Sequence, residues 1–213
     1  MGLFNTLEEL QKANDKEGTG TRRQFFSLKA GEQFKIRFRQ ELTRDANNYD
    51  EENGQALVVA VHVSPFDFKK KLACTIEDEE YGFRCWAHEQ VAADKRWREK
   101  KHVLLNVAVM ENNEWVNKIL DQTFSPKHVI QSLIEYASEY GSIVDRDFKI
   151  NRIGSGMNDT NYNLIPLDPK PASDEVNSLE IFDLEGTYRK LPYDEQQEYF
   201  LADEQSGDSS TKW

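Results

Sequence analysis

Both cysteines of the chain and two of its four histidines fall between positions 62 and 88: His62, Cys74, Cys85 and His88. Thiolate and imidazole are the side chains that structural Zn²⁺ takes, four at a time in a tetrahedron, and Cys85 and His88 stand at the two-residue spacing of a zinc knuckle. The same set is open to two other readings, burial with ordinary hydrogen bonding and thiol redox chemistry. Four protein ligands would leave no coordination position for water, so such a centre would build structure rather than cleave bonds.

A second pattern interleaves cations with aromatic rings. Arg37 and Arg39 flank Phe38; Phe66 and Phe68 precede Lys69, Lys70 and Lys71; Trp97 lies between Arg96 and Arg98, with Lys100 and Lys101 just beyond. Unpaired bases stack on aromatic faces, at about 1–3 kcal/mol per base, while Lys and Arg follow the phosphates without reading sequence. The pattern predicts a groove for single-stranded DNA lined by Arg37, Arg39, Lys69, Lys70, Lys71, Arg96, Arg98, Lys100, Lys101 and Arg152, with Phe68, Trp97 and Tyr162 as stacking platforms. In the competing reading, alternating rings such as Phe34, Phe38 and Phe148 fill a core and the cations are a solvated face.

The elements that must position these residues are mostly strands. Gln33 to Arg39 alternates strictly, Phe34, Ile36 and Phe38 against Lys35, Arg37 and Arg39, which predicts a half-buried strand with a basic solvent face. Ala56 to Val63 is a β-branched run, and Val103 to Met110 turns at Glu111–Glu114 into Trp115 to Leu120, a hairpin. Ser125 as N-cap, Pro126 at the first helical position and Val129, Ile130, Leu133, Ile134 and Ala137 at helical steps predict one helix closed by Gly141. Asp147–Ile153 and Thr160–Leu167 read as strands joined through Gly154 and Gly156. Five or six short strands with one main helix and no βαβ rhythm predict a mostly β, α+β domain closed as a small barrel.

Charge is unevenly spread. Of the net −11, the segment from Asp168 to Trp213 holds −8, with twelve acids against four bases, while Arg22–Arg44 has seven bases against two acids and Lys95–Lys101 five against one. Basic patches on a nearly neutral body suit a nucleic-acid footprint. The expected organisation is a flexible arm at 1–20, a domain at 21–167 with a zinc-loop insertion at 62–88, and a disordered acidic tail at 168–213. No phosphate loop, His-Glu-x-x-His helix or nucleophile elbow occurs, so catalysis is not expected. Neither a secretory signal nor a run of apolar residues long enough for a membrane is visible, and the expected compartment is the cytoplasm of the host.

Asp145–Gly156, followed by Tyr162 and Leu164-Ile165-Pro166-Leu167, resembles the closing barrel segment of phage-encoded single-stranded DNA-binding proteins. The strand after Ala30-Gly31-Glu32 and the segment His62–Lys101 are similar to that family as well, so the resemblance spans about residues 22–167. It implies an OB fold, sequence-tolerant coating of single strands in replication, recombination and repair, and an acidic tail that contacts phage or host replication proteins. A member of this group carries a zinc site of one His and three Cys with similar spacing; here His88 holds the last position, where that member has Cys. The rival expectations are an acidic adaptor or inhibitor that imitates DNA toward a host enzyme, and a zinc-dependent nuclease or repair accessory factor.

Overall fold

The computed structural model describes residues 25–125, 127–155 and 159–202. The expected arm at 1–20, the end of the expected tail at 203–213, Pro126 and Gly156 lie outside them. Seven strands are present among the described residues: β1 (Gln33–Phe38), β2 (Leu57–Val63), β3 (Lys71–Ala73), β4 (Lys100–Glu111), β5 (Glu114–Thr123), β6 (Arg146–Ile153) and β7 (Asn161–Pro169). They form one antiparallel sheet in the order β3-β2-β4-β1-β6-β7, with β5 paired to β4, and the sheet is not closed. Four helices join them, α1 (Trp86–Gln90), α2 (Ile130–Tyr140), α3 (Asp174–Asn177) and α4 (Tyr193–Leu201). The class is mostly β, α+β, with one strand and three helices more than expected. No helix among the described residues is long and apolar enough to cross a membrane.

The predicted elements recur with shifted ends. The β4–β5 hairpin turns on Asn112 and Asn113, both at positive φ (53° and 68°), the pair of left-handed residues that a two-residue hairpin turn requires. The main helix begins at Ile130 rather than after Ser125, because Ser125 instead closes a turn through His128 N–H to its carbonyl. Gly141, at φ +72°, caps the helix as expected, its N–H on the Ala137 carbonyl.

The chain folds as two compact units. The first comprises the described residues up to Val58 together with Val103–Leu184. Its core gathers Ile36 and Phe38 of β1, Leu105, Val107 and Val109 of β4, Leu133 of α2, and Phe148 and Ile150 of β6. Phe38 and Phe148 meet edge to face at 5.2 Å.

The other face of β1 is not the solvated basic face that alternation suggested. Arg37 is 4% exposed and Arg39 9%. The β1–β6 register places Ile36 opposite Phe148 and so brings Asp147 beside Arg37. Asp147 receives Arg37 at 3.2 Å, Lys35 at 2.9 Å and Lys170 at 2.8 Å, and Arg37 also donates to the carbonyls of Val144 and Lys170. Burial alone would raise the Asp147 pKa; the hydrogen bonds from Lys170, Lys35 and Arg37 outweigh it and hold the carboxyl below its usual value.

The boundary expected at 168 does not fall there. β7 runs to Pro169, and the chain that follows packs back on the first unit. Val176 is buried against Ala108 and Trp115. Fully buried Asn106 exchanges hydrogen bonds with the backbone of Phe182, accepting from its N–H and donating to its carbonyl, both at 2.9 Å. Residues 185–202 belong to the second unit, where Leu191 and Phe200 are buried. The acidic tail expected from 168 is therefore folded chain as far as residue 202. Its acids are exposed, while Val176, Leu184, Tyr188, Leu191 and Phe200 are buried.

Asp147→Asn should destabilise the protein by about 3 kcal/mol in urea melts, because it leaves the buried Arg37 guanidinium without its counter-charge. The depressed pKa fixes the pH dependence: this contribution is fully present above the unfolded carboxyl pKa of about 3.9 and is lost as pH falls through the folded value. The variant's deficit should therefore shrink in acid; an unchanged midpoint at neutral pH would contradict the assignment.

Candidate metal centre and nucleic-acid surface

In the second unit β2 and β3 pair with His62 opposite Leu72, so that Cys74, two residues past Leu72, follows directly on the end of β3. Cys85 is the N-cap of α1 and His88 is its third residue. N-cap and third helical positions lie over one another at a helix start, the geometry that capping boxes use, which is why a Cys-x-x-His spacing can converge here. Three of the four sequence-predicted ligands are thus brought together; Cys85, at the N-cap of α1, is not part of that group, and its Sγ faces Gln196 Oε1 at 3.4 Å. Ligand atoms of His62, Cys74 and His88 all lie within 4.8 Å of one another, a group that could hold a metal ion. The Cys74 Sγ–His88 Nδ1 distance is 3.8 Å, and Glu99 approaches the same nitrogen at 3.7 Å.

His62 is fully buried. Its Nδ1 sits 2.6 Å from the Trp97 carbonyl, and its Nε2 is buried with no hydrogen-bond partner. A proton on Nδ1, held by that carbonyl, leaves the Nε2 lone pair directed into the cluster, as in metal-binding histidines. Hydrogen bonding from Cys74, helped by His62 and opposed by burial, pulls the Cys85 thiol well below its usual pKa. The same bond together with burial pushes Cys74 up. Burial disfavours charge on His62, but Cys85 and the Trp97 carbonyl outweigh it and raise its pKa. Two cysteine sulfurs and a buried imidazole nitrogen without a hydrogen-bond partner are donor types that fit a transition metal.

The groove residues divide. Trp97, expected as a stacking platform, is 4% exposed and packs among Trp86 at 5.3 Å, Phe200 at 5.0 Å and Phe66 at 6.2 Å. The cause is local: Asp94 caps a 3₁₀ turn at Lys95–Trp97 by accepting the Arg96 N–H, and the turn sends the ring inward while Arg96 and Arg98 stay outside. Arg37 and Arg39 are withdrawn into the first unit, as described above. Arg152 is half-buried there, donating to the Leu28 carbonyl and to Thr160, and half-buried Tyr162 rests against the edge of His128. Of these five, Trp97, Arg37 and Arg39 are buried and so withdrawn from a surface groove.

What stays exposed belongs to the second unit: Phe68 at 76%, with Lys69, Arg96, Arg98, Lys100 and Lys101. Lys70 and Lys71 are half-buried, Lys70 bonded through Nζ to the Ala202 carbonyl and Lys71 by its N–H to Tyr199. Phe66, 70% exposed, was not among the predicted groove residues, although its place two positions before Phe68 carried the same signal. Arg96 lies over its ring at 5.6 Å while paired to Asp94 at 2.8 Å. The loop that bears both rings is fixed. Ser64 Oγ accepts the N–H groups of Phe66 and Asp67, Asp67 accepts that of Lys69, and Ser64 and Lys70 close its neck. No protein-family model, curated protein or solved structure matches this chain.

Trp97→Ala should cost roughly 3–5 kcal/mol of stability, the range for emptying a large aromatic site in a core. A melt that matches the unsubstituted protein would return Trp97 to the surface.

Proposed function

We propose that this chain is a sequence-independent single-stranded DNA-binding protein of the phage type, which coats and protects strands during replication, recombination and repair. The observation that carries the reading is the pair of exposed rings, Phe66 and Phe68, on a loop braced by Ser64 and Asp67. Large apolar side chains are rarely left in water in a fixed arrangement without a partner; here Arg96 lies over the Phe66 ring at 5.6 Å, Lys69 follows Phe68 in the chain, and Arg98, Lys100 and Lys101 are exposed in the same unit. Rings that stack on any base beside cations that follow any backbone give affinity without sequence preference. The open sheet is read as an OB-type sheet, the fold the sequence resemblance implies, and residues 203–213 as the acidic segment that meets replication partners.

Zn²⁺ is the metal we assign to the cluster, held by His62, Cys74, Cys85 and His88. When bound it would supply a tetrahedral cross-link between the end of β3 and the start of α1. Buried His62, oriented by the Trp97 carbonyl, is already set to accept it, and with Cys85 completing the set no position would remain for a reacting water, so the role is structural.

The test is fluorescence anisotropy of a labelled oligo-dT, titrated with the full chain and with Phe66→Ala and Phe68→Ala at several salt concentrations. Binding should weaken with salt in proportion to the phosphates engaged. Each substitution should cost about 1–3 kcal/mol, the worth of one stacked base. Absence of binding by the unsubstituted chain would overturn the proposal and favour the acidic adaptor. In parallel, metal analysis should find one zinc per chain, lost in Cys74→Ser, and a chelator should lower the melting temperature; a metal-free protein of unchanged stability would remove the zinc.

A further inference from the structure

The C-terminal helix reaches the metal cluster through one side chain. Gln196, on α4, is fully buried. Its Oε1 accepts the Trp86 N–H at 3.0 Å and lies 3.4 Å from the Cys85 Sγ. Its Nε2 donates to Thr75 Oγ1 at 3.0 Å and to the Leu191 carbonyl at 2.8 Å. Both donor hydrogens of the amide and one acceptor site are therefore occupied whatever the state of Cys85; the Sγ contact is a hydrogen bond only while Cys85 keeps its proton. The orientation of the amide is also determined. Exchanging oxygen and nitrogen would set N–H against the Trp86 N–H and an oxygen against the Leu191 carbonyl.

Trp86 follows Cys85 and Thr75 follows Cys74 in the chain. One amide thus ties together the two backbone segments that carry the thiols, and Thr75 extends the link by donating to the Arg84 carbonyl at 2.5 Å. Nothing in the surrounding sequence, Asp194-Glu195-Gln196-Gln197-Glu198, marks this position; Gln197 beside it is exposed.

We propose that Gln196 is a positioning residue of the metal centre, so that metal binding at His62, Cys74, Cys85 and His88 and the docking of α4 strengthen one another. The inference rests on the metal reading above. With α4 in place the Cys74 and Cys85 segments are tied to one another through Thr75 and Trp86, and part of the ordering cost is met before the metal arrives. Linkage then requires the reverse by the same factor: an ion that fixes the two cysteines fixes the hydrogen-bonding partners of Gln196 and holds α4 down. Outer partners of metal ligands commonly alter affinity by roughly 10–100-fold. Other contacts anchor α4 independently. Phe200 packs on Trp86 and Trp97, the Tyr193 hydroxyl donates to Glu89 at 2.5 Å, and Arg84 covers the Tyr193 ring at 3.7 Å. A variant at 196 can therefore lose the amide and keep the helix.

The experiment compares the full chain with Gln196→Met, which keeps length and apolar bulk without the amide's hydrogen bonds, and with Tyr193→Phe, which removes an α4–α1 hydrogen bond to Glu89 and leaves the Gln196 amide in place. Zinc affinity is measured by competition with a chromogenic chelator. Amide hydrogen exchange of residues 193–201 is measured with and without one equivalent of Zn²⁺. Gln196→Met should bind zinc roughly tenfold or more weakly, and Tyr193→Phe as the unsubstituted chain does. Zinc should slow exchange across 193–201 in the unsubstituted chain, a readout that needs no variant to fold. Equal affinity in Gln196→Met, or exchange at 193–201 indifferent to zinc in a chain that binds it, would overturn the inference and leave the metal reading standing. A chain that binds no zinc would overturn both.

Discussion

A stretch of about forty residues buries too little apolar surface to keep one shape unaided; chains of that size usually need metal, disulfides or a partner. Residues 59–102 are such a stretch, with two short strands, one turn and a half of helix, and the loop that presents Phe66 and Phe68. The second unit answers the constraint with residues 185–202, whose Leu191 and Phe200 complete a core with Leu72, Trp86 and Trp97. On the same elements lies the group of His62, Cys74 and His88, which could hold a metal ion. The apolar strap and the ligand cluster meet at Gln196, and the braced aromatic loop depends on both, since Trp97 touches Phe66 on one side and, through its carbonyl, His62 on the other.

The same constraint bears on the charge distribution. A net charge of −11 is unpromising for a protein that binds a polyanion, but the acids of 168–202 lie on elements whose inward positions are apolar, and opposite charges also pair within the second unit, as Asp78 does with Lys190 at 2.5 Å. In the first unit the cations of β1 are consumed by Asp147 and backbone carbonyls, which gives that strand a structural rather than a ligand-binding use. The exposed cations that remain near exposed rings are concentrated in the second unit.

Local patterning made the strands, the β4–β5 hairpin and the Gly141 cap legible, because alternation and left-handed turn residues are properties of neighbours in sequence. It also made the group of His62, Cys74 and His88, which could hold a metal ion, legible, since few residue types can serve and they lie close together along the chain. Burial of the β1 cations was not legible: Asp147 and the Val144 and Lys170 carbonyls that cover Arg37 come from more than a hundred positions away. Trp97 misled because charges flank it, while a capped 3₁₀ turn separates its direction from theirs. Residues 168–202 misled because a short strap docks with few apolar contacts, Val176, Leu184, Leu191 and Phe200, spaced too widely to read as a pattern. Gln196 has no sequence signature at all; its role exists only where four backbone and side-chain groups converge.

The central claim is that unpaired bases stack on the loop at Phe66 and Phe68. Photo-cross-linking of the full chain to a single strand carrying 5-iodouracil, followed by mass spectrometry of the adducts, tests it most directly, because the activated base couples to an aromatic ring in contact with it. The account predicts adducts on Phe66 or Phe68. Adducts confined to rings of the first unit, such as Tyr162, or no adduct from a strand that is demonstrably bound, would contradict it.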